Sequence, residues 1–364
     1  MTGAKVAEER KTRVLVVDDS ALVRRALSDI IQAQPGLELV GTACDPFVAQ
    51  EKIISLKPDV LTLDLEMPGM DGLTFLKKLM RFHPMPVIII SSLGQSSSRA
   101  AVEALQSGAG AVDVIAKPSS TSVGDLGRTL GQKIRAAALA RLRRTPPVSR
   151  SAGPAAKLAP APVRAVSGAA HGADVQRVIA IGSSTGGVQA IEAILTNLPE
   201  NCHPVLVAQH IPPVFSAALA NRLNKICQIT VREAREGELL QNGLALIAPG
   251  NFHLTLQRAG GRYSVSLNQG PLVHHQRPSA DVLFQSVAKA AGKAATGVIL
   301  TGMGADGAAG LLVMKEAGAK TIAQDEASCI VFGMPREAIR LGAAGRVLAL
   351  DRIAAELQIT PLLS

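Results

Sequence analysis

The sequence predicts a two-domain α/β protein: a doubly wound parallel sheet, then a second, mainly parallel sheet with an antiparallel hairpin. Strand-like runs of Val, Ile and Leu alternate with helical patterns from residue 13 to about 140, and the alternation resumes at Val178. A stretch rich in Pro, Ala and Arg separates the two halves. We therefore predict a first domain over residues 12–135, a linker over 136–174 and a second domain over 175–360.

Composition limits the classes of protein that this chain can belong to. Its 364 residues suffice for two cores, and with 47% apolar but only 2% aromatic residues those cores must be aliphatic. The four cysteines lack metal-type spacing, which predicts free thiols in a reducing compartment. No apolar run reaches the roughly 20 residues that span a bilayer, and the polar start does not resemble a signal peptide. We expect a cytoplasmic protein without membrane insertion.

The formal net charge of +9 would by itself fit nucleic-acid binding. Much of the basic excess, however, lies in the predicted linker, at Arg141, Arg143, Arg144, Arg150, Lys157 and Arg164, with no acidic residue among them. A solvated tether explains such a run better than a recognition surface does. We expect no nucleic-acid partner.

In the first half, strands are predicted at 14–17, 37–42, 61–63, 87–90 and 112–115, with helices over 22–31, 73–80 and 100–105 and a last one through 126–134. Reactive side chains of a parallel sheet gather at the carboxyl ends of its strands. Those ends carry Asp18 and Asp19, Asp64, Ser91 and Lys117, after the first, third, fourth and fifth strands.

One chemistry unites these five residues. Three carboxylates held together repel each other, so one would stay protonated unless a cation is present, and Mg²⁺ is a cation that such oxygen ligands bind. Asp64 could then attack a phosphoryl donor and form an acyl phosphate, while Mg²⁺ and Lys117 neutralise the transferred group and Ser91 donates a hydrogen bond to it. Any one of these residues would fit an unrelated strand end, but all five in order favour a phosphoryl-transfer site with Asp18 and Asp19 as metal ligands.

Three motifs, Val16-Val-Asp-Asp-Ser20, Leu63-Asp-Leu-Glu-Met-Pro-Gly-Met-Asp-Gly72 and Ala116-Lys-Pro118, resemble the receiver domain of response regulators, which has the CheY-like fold. The resemblance implies phosphorylation of Asp64 by a histidine kinase. Many receivers carry an aromatic residue three positions before the lysine, where this chain has Val114. This departure leaves open whether a switch that buries such a ring operates here.

The second half begins with a buried strand, a Gly-flanked turn and a helix, in the stretch Arg177-Val-Ile-Ala-Ile-Gly-Ser-Ser-Thr-Gly-Gly187. A hydroxyl on this turn would stand beside the N–H groups of a helix N-terminus, which favour developing negative charge. The geometry suits a serine nucleophile. The turn alone would equally fit a phosphate cradle or a plain helix N-cap.

Further strands are predicted at 205–210 and 297–300, and the runs at 244–253, 254–256 and 263–267 read as short antiparallel strands with a hairpin turn at Gly260-Gly261. Helices are predicted over about 214–226 and 280–291. Three strand ends then carry Ser184, His210 and Asp306.

A serine hydroxyl needs a base, and the base needs a carboxylate to hold its tautomer. Ser184, His210 and Asp306 supply these three groups. Each has an alternative: Asp306 could cap the following helix, and three other histidines could be the base, namely His253, His274 and His275.

The motifs Ile181-Gly-Ser-Ser-Thr-Gly-Gly187, Ala208-Gln-His-Ile-Pro212 and Leu300-Thr-Gly-Met-Gly-Ala-Asp-Gly307 resemble those of chemotaxis protein-glutamate methylesterases. With the receiver in front, the resemblance covers nearly the whole chain except the linker. Arg277-Pro-Ser-Ala-Asp281 also fits the family, without an assigned role.

The resemblance implies that Ser184 is the nucleophile, His210 the base and Asp306 the orienting acid, with the backbone N–H of Met303 in the oxyanion hole. It makes the Ser183 hydroxyl incidental. The implied substrate is a γ-glutamyl methyl ester on methyl-accepting chemoreceptors, with receptor glutamines deamidated at the same site. It also implies that the unphosphorylated receiver covers the cleft and that the ester chemistry needs no cofactor.

Three rival functions remain at this point. A receiver-linked transcription factor would need a small helical output domain with a basic recognition helix, and a nucleotide-binding module would need a P-loop lysine where Val188 and Gln189 follow the turn. The third is a receiver-regulated serine hydrolase of a related signalling array that acts on a different protein.

Overall fold

The computed structural model describes residues 10–67, 70–106, 110–117, 123–142 and 175–358. From residue 143 to residue 174, the predicted linker lies outside the described residues. Helix α5 continues to Ala138, three residues past the predicted end of the first domain. The domain limits of 12–135, 136–174 and 175–360 stay predictions.

The first half forms a five-stranded parallel sheet with the strand order β2-β1-β3-β4-β5. Its elements, in chain order, are β1 (Thr12–Val17), α1 (Ala21–Gln32), β2 (Leu37–Ala43), α2 (Pro46–Leu56), β3 (Val60–Asp64), α3 (Gly72–Phe82), β4 (Val87–Ser91), α4 (Gln95–Ala104), β5 (Ala111–Ala116) and α5 (Val123–Ala138). Buried β-branched and leucine side chains line the central strands, which are covered on both faces as a parallel sheet requires. The predicted alternation and fold class are confirmed.

The second half forms a seven-stranded parallel sheet with the order β14-β13-β12-β6-β7-β9-β8, and a separate antiparallel hairpin, β10-β11. Its elements are β6 (Val178–Ser183), α6 (Gly187–Leu195), β7 (Val205–Gln209), α7 (Phe215–Ile226), β8 (Thr230–Glu233), β9 (Leu244–Ile247), β10 (His253–Ala259), β11 (Arg262–Asn268), α8 (Ala280–Ala291), a 3₁₀ turn (Gly292–Ala294), β12 (Ala295–Ile299), α9 (Ala308–Glu316), β13 (Lys320–Gln324), α10 (Met334–Arg340), β14 (Arg346–Leu348) and α11 (Leu350–Gln358).

One strand prediction in this half is wrong. The run at 244–253 is predicted to be antiparallel, but its strand, β9, covers only Leu244–Ile247 and pairs in parallel with both β7 and β8 inside the main sheet. All four residues of β9 are buried, which is the pattern of an interior parallel strand and not of a hairpin arm. The hairpin turn at Gly260-Gly261 is confirmed, with both glycines at positive φ.

The order of the second sheet determines where its chemistry can lie. After β6 the chain adds β7 on one side and later returns to add β12 on the other, so β6 stands at the switch in strand order. A crevice opens at such a point beyond the carboxyl ends of the strands. Three neighbouring strands, β12, β6 and β7, therefore deliver their following loops to one place.

The two halves also share apolar packing. One cluster of buried aliphatic side chains includes Leu105 and Val114 from the first half together with Val188 and Ile211 from the second. The four cysteines are free thiols, as predicted. Among the described residues, no helix is both long enough and apolar enough to span a bilayer.

Candidate active site

Ser184 lies on the turn between β6 and α6, at the edge of the sheet predicted for it. Its side chain is buried, its N–H donates to the carbonyl of Thr301 at 3.0 Å, and its carbonyl accepts the N–H of Gly187 at 2.7 Å. The side-chain amide of Gln209 also donates to the Ser184 carbonyl, at 2.9 Å. Main-chain bonds on both sides therefore fix this residue at the strand–helix junction.

Two glycines allow the tight turn. Gly186 has φ near +77°, a region that favours glycine, and a Cβ there would lie 2.7 Å from Cβ of Ile330. A Cβ on Gly302 would lie 2.7 Å from Cβ of Ser184. The loop after β12 can approach the serine this closely only because it lacks a side chain at that position.

The plain N-cap alternative for this turn is not what the structure has. The N-cap of α6 is Gly186, and no side chain caps that helix. Ser183 is not incidental either: it is fully buried and its hydroxyl donates to Oε1 of Gln209 at 2.6 Å. Ser183 therefore ties the end of β6 to the end of β7.

His210 follows β7 and pairs with Asp306. Its Nε2 lies 2.7 Å from Oδ2 of the carboxylate, and both side chains are buried. The rival histidines are engaged elsewhere or exposed. His253 uses both ring nitrogens on the main chain, His274 pairs with Asp281 at 3.1 Å, and His275 is exposed.

Asp306 is an ionised carboxylate in a buried position. Burial acts to raise its pKa, but hydrogen bonds from His210, Ser279 and the N–H of Ala280 outweigh that effect and lower the pKa to about 2. An ionised carboxylate only accepts hydrogen bonds, so the imidazole Nε2 of His210 carries the proton. Nδ1 is then the basic nitrogen of the neutral ring.

Asp306 does not cap the helix that follows it. The N-cap of α9 is Gly307, without a side-chain cap bond, whereas the carboxylate accepts from the N-terminus of α8. Met303 lies in the same loop, next to Gly302, and in the described part of the chain no backbone hydrogen bond uses its N–H. The role of Met303 in the oxyanion hole stays a prediction.

The receiver cluster lies at the carboxyl ends of β1, β3 and β5. Nζ of Lys117 lies 2.6 Å from Oδ2 of Asp64 and 3.1 Å from Oδ2 of Asp18. Ligand atoms of Asp18, Asp19 and Asp64 all lie within 4.8 Å of one another. Burial raises the pKa of Asp64, although its bond to Lys117 opposes that shift. The structure brings four of the five predicted residues together.

This cluster fits a hard divalent cation. Asp18 is fully buried, and its Oδ2 has only the ion-pair contact with Lys117, without a hydrogen bond of proper geometry. Three carboxylates with an under-coordinated buried oxygen are the donor set that Mg²⁺ takes. Ser91 stands beside them, since its carbonyl accepts the N–H of Lys117 at 2.8 Å, but its hydroxyl donates to the carbonyl of Ser97 at 3.3 Å.

The receiver's outer strand lies against the serine turn. β5 is an edge strand, and its carbonyls at Ala111 and Val112 accept from the side chain of Gln189 and the N–H of Gly186, at 3.1 and 3.0 Å. The hydroxyl of Thr185, next to the candidate nucleophile, donates to the carboxylate of Asp113.

Asp113 is buried between the two halves. Its other carboxylate oxygen accepts from Lys133 of α5, whose Nζ also donates to the carbonyl of Val114 at 3.1 Å. The two halves are therefore joined by a buried, charged hydrogen-bond chain from Lys133 through Asp113 to Thr185. Sequence reasoning missed Asp113, although a charged residue within the apolar run 111–116 is an unusual feature.

The space at the candidate active site is small. One cavity of about 10 Å³ is lined by Ser184 and His210 and, from the receiver, by Leu105, Val112, Asp113 and Val114. A volume near 10 Å³ holds about one water molecule and not an ester. In this arrangement the receiver covers the site.

The fold and the two sites define the class of protein: a response regulator whose receiver is joined to a hydrolase domain built on a parallel sheet with an antiparallel hairpin. Family models support both halves, the response regulator receiver domain over residues 14–124 and the CheB methylesterase domain over residues 179–357. The chain belongs to the CheB methylesterase family. It is a methylesterase that is itself a chemotaxis response regulator, since it carries a receiver domain.

Similarity to individual relatives extends over nearly the whole chain. A protein-glutamate methylesterase/protein-glutamine glutaminase from Syntrophus aciditrophicus is 53% identical over 348 residues, covering 95% of this chain and 98% of the relative. One from Paraburkholderia xenovorans is 52% identical over 348 residues, covering 94% and 95%. The crystal structure of the Thermotoga maritima CheB methylesterase catalytic domain is 40% identical, with a TM-score of 0.49, and covers 50% of this chain and 96% of its own.

Proposed function

We propose that this chain is a phosphorylation-activated methylesterase that removes methyl groups from glutamate esters on methyl-accepting chemoreceptors, and that it deamidates receptor glutamines at the same site. The observation that carries the proposal is the delivery of Ser184, His210 and Asp306 to one crevice by three neighbouring strands. The names of the full-length relatives support the substrate class.

The ester chemistry follows from the roles of these groups. Nδ1 of His210 takes the hydroxyl proton as the Ser184 oxygen attacks the ester carbonyl, and Asp306 stabilises the resulting imidazolium. The N–H of Met303 faces the negative charge that develops on the carbonyl oxygen. The tetrahedral intermediate then collapses: the bond between the carbonyl carbon and the methoxy oxygen breaks, and the imidazolium protonates that oxygen to give methanol. His210 next takes a proton from water as it attacks the acyl-enzyme, and returns the proton to the Ser184 oxygen as glutamate is released. No cofactor takes part in these steps.

Regulation would begin at the receiver cluster. Asp64 accepts a phosphoryl group from a histidine kinase partner, and Lys117 and Ser91 bind its oxygens. Asp18, Asp19 and Asp64 would hold a Mg²⁺ ion, which when bound neutralises the charge on the transferring group.

The receiver contacts support gating by occlusion. β5 ends next to Lys117, and the same strand carries Asp113 and the carbonyls that bind the serine turn. A phosphoryl group that pulls Lys117 away from Asp64 therefore acts on the strand that closes the site. Phosphorylation would shift the population toward an uncovered arrangement. The proposed limits of the two domains, 12–135 and 175–360, with a tether over 136–174, allow this separation.

A methanol-release assay on methylated receptor tests the proposal. The wild-type chain should release methanol. A small acyl-phosphate donor with Mg²⁺ should increase the rate by about tenfold or more, because the uncovered arrangement is a minor population that can rise by this factor. Asp64→Asn should lose the stimulation, since no acyl phosphate can form. Hydrolysis of simple esters without methanol release from receptor would instead indicate a hydrolase of a related array with another protein substrate.

A further inference from the structure

Asp306 is held at the N-terminus of α8 by four donors, which divide between its two oxygens. Oδ2 accepts from Nε2 of His210 and the N–H of Ala280, both at 2.7 Å. Oδ1 accepts from the hydroxyl of Ser279 at 2.6 Å and the N–H of Asp281 at 3.2 Å. Oδ2 is therefore shared between the imidazole and the N–H of Ala280, whereas both donors to Oδ1 belong to the start of α8.

Ser279 is the one side chain besides His210 that donates to this carboxylate in the described part of the chain. It is fully buried, and as the N-cap of α8 it also accepts the N–H of Val282 at 3.4 Å. A hydroxyl has a single proton. That proton is committed to Asp306, and the longer cap bond uses only a lone pair.

The position of Ser279 is itself fixed by a buried histidine. The N–H of Ser279 donates to Nδ1 of His253 at 3.3 Å, and Nε2 of His253 donates to the carbonyl of Pro271 at 2.9 Å. The backbone of Ser279, which carries the hydroxyl, is thus held in place through His253 and does not depend on the bond to Asp306. This geometry explains why His253 is buried without serving as the base.

We infer that Ser279 is a positioning residue of the esterase: its hydroxyl fixes the rotation of the Asp306 carboxylate so that Oδ2 stays aligned with Nε2 of His210. The inference rests on the proposed Ser-His-Asp function. It gives the motif Arg277-Pro-Ser-Ala-Asp281 a role in catalysis, through its central serine. Without the hydroxyl, Oδ1 keeps only the longer bond from the N–H of Asp281, at 3.2 Å, and the alignment of the carboxylate with the imidazolium weakens.

The test is Ser279→Ala in the full chain, assayed by methanol release with phosphodonor. We expect kcat to fall about 10- to 100-fold, the factor that corresponds to losing a hydrogen bond to a charged group, with KM unchanged. The acidic limb of the pH–rate profile should move to lower pH, because protonated His210 is less well stabilised. The titratable groups that face Asp306 are His210 from the end of β7, Asp281 from α8 and, through Asp281, His274.

Two further variants separate positioning from a purely structural role. Ser279→Thr retains the hydroxyl and should recover most of kcat and the wild-type pH profile. Ser286→Ala, in the same helix, removes a serine that bonds only the main chain at Leu283 and Leu256, and should lower stability without moving the pH profile. A Ser279→Ala enzyme whose kcat and pH profile match those of Ser286→Ala would overturn the inference.

The outcome can be told apart from a failure of the proposed function. If Ser184→Ala and Asp306→Asn are inactive while Ser279→Ala behaves as wild type, the triad stands and only the role of Ser279 is wrong. If Ser184→Ala remains active, the proposed chemistry itself is wrong.

Discussion

At the scale of single residues, the carboxylate of Asp306 is a buried group that stays charged. Asp306 is almost completely removed from water, yet its hydrogen bonds keep it ionised. Its hydrogen-bond donors are the N-terminus of α8 and the imidazole of His210, which the carboxylate orients. The same bonds that prepare the site for catalysis should therefore stabilise the fold.

This dependence has a pH signature. The pKa of Asp306 falls from 3.8 in the unfolded chain to about 2 in the folded one, so its contribution is fully present above about pH 4 and is lost as pH falls through 2. The shift corresponds to about 2 kcal/mol of stability at neutral pH. Asp306→Asn should lower the urea midpoint at pH 7, and the gap to wild type should narrow as the pH is lowered toward 3. A gap that is constant with pH would contradict the assignment.

Much of the residue-scale picture could be predicted from the chain alone. Strand ends marked the positions of Ser184, His210, Asp64 and Lys117, because parallel strands bring their carboxyl ends to one edge whatever the rest of the fold does. The roles of Ser183, Asp113 and Ser279 could not be predicted. Their hydrogen-bond partners are 26, 72 and 27 residues away in the sequence. A local sequence pattern cannot predict contacts between residues so far apart.

At the scale of elements, an edge strand becomes a docking element. β5 has one free edge, and its carbonyls there bind N–H groups on the serine turn and α6. Proteins commonly protect an edge strand from pairing with other chains. Here the charged Asp113 makes the contact between β5 and the serine turn specific, because its carboxylate accepts the hydroxyl of Thr185. A buried bond to a charged group contributes more than an exposed ion pair.

Two substitutions compare how much a buried hydrogen bond and an exposed ion pair between the two halves stabilise the covered arrangement. Asp113→Ala removes the buried contact to Thr185 and should raise basal esterase activity without phosphodonor by about tenfold, because the covered arrangement loses a charge-assisted hydrogen bond. Arg141→Ala removes the ion pair with Glu326, whose side chains are 61% and 54% exposed, and should change basal activity by less than about threefold. Equal basal rates in the two variants and wild type would show that Asp113 does not hold the covered state.

Not every long element was predicted, since the 11-residue helix α2 has no counterpart among the predicted helices. The 12-residue helix α8 was predicted residue for residue. The parallel pairing of β9 was missed because four apolar residues read alike in a hairpin and in a buried parallel strand. Strands β8 and β14 have only four and three residues, too few for a periodicity to register.

At the scale of the whole molecule, the outer strand of the receiver lies against the serine turn of the esterase domain. In the proposed mechanism, the carboxyl end of the receiver sheet accepts the phosphoryl group, while its outer strand covers the carboxyl end of the second sheet. Activation then needs no change within the esterase domain, only a shift between covered and uncovered arrangements. The small cavity between Ser184 and the receiver is the structural basis of this view.

The most direct measurement is methanol release from methylated receptor by full-length Ser184→Ala, with phosphodonor present, beside wild type and Ser183→Ala. Loss of a nucleophile of this kind costs about 10⁶ in turnover, so Ser184→Ala should fall to the uncatalysed background. Ser183→Ala should be less stable, because Gln209 loses a buried partner, yet remain active. Methanol release by Ser184→Ala within about tenfold of wild type would contradict the account.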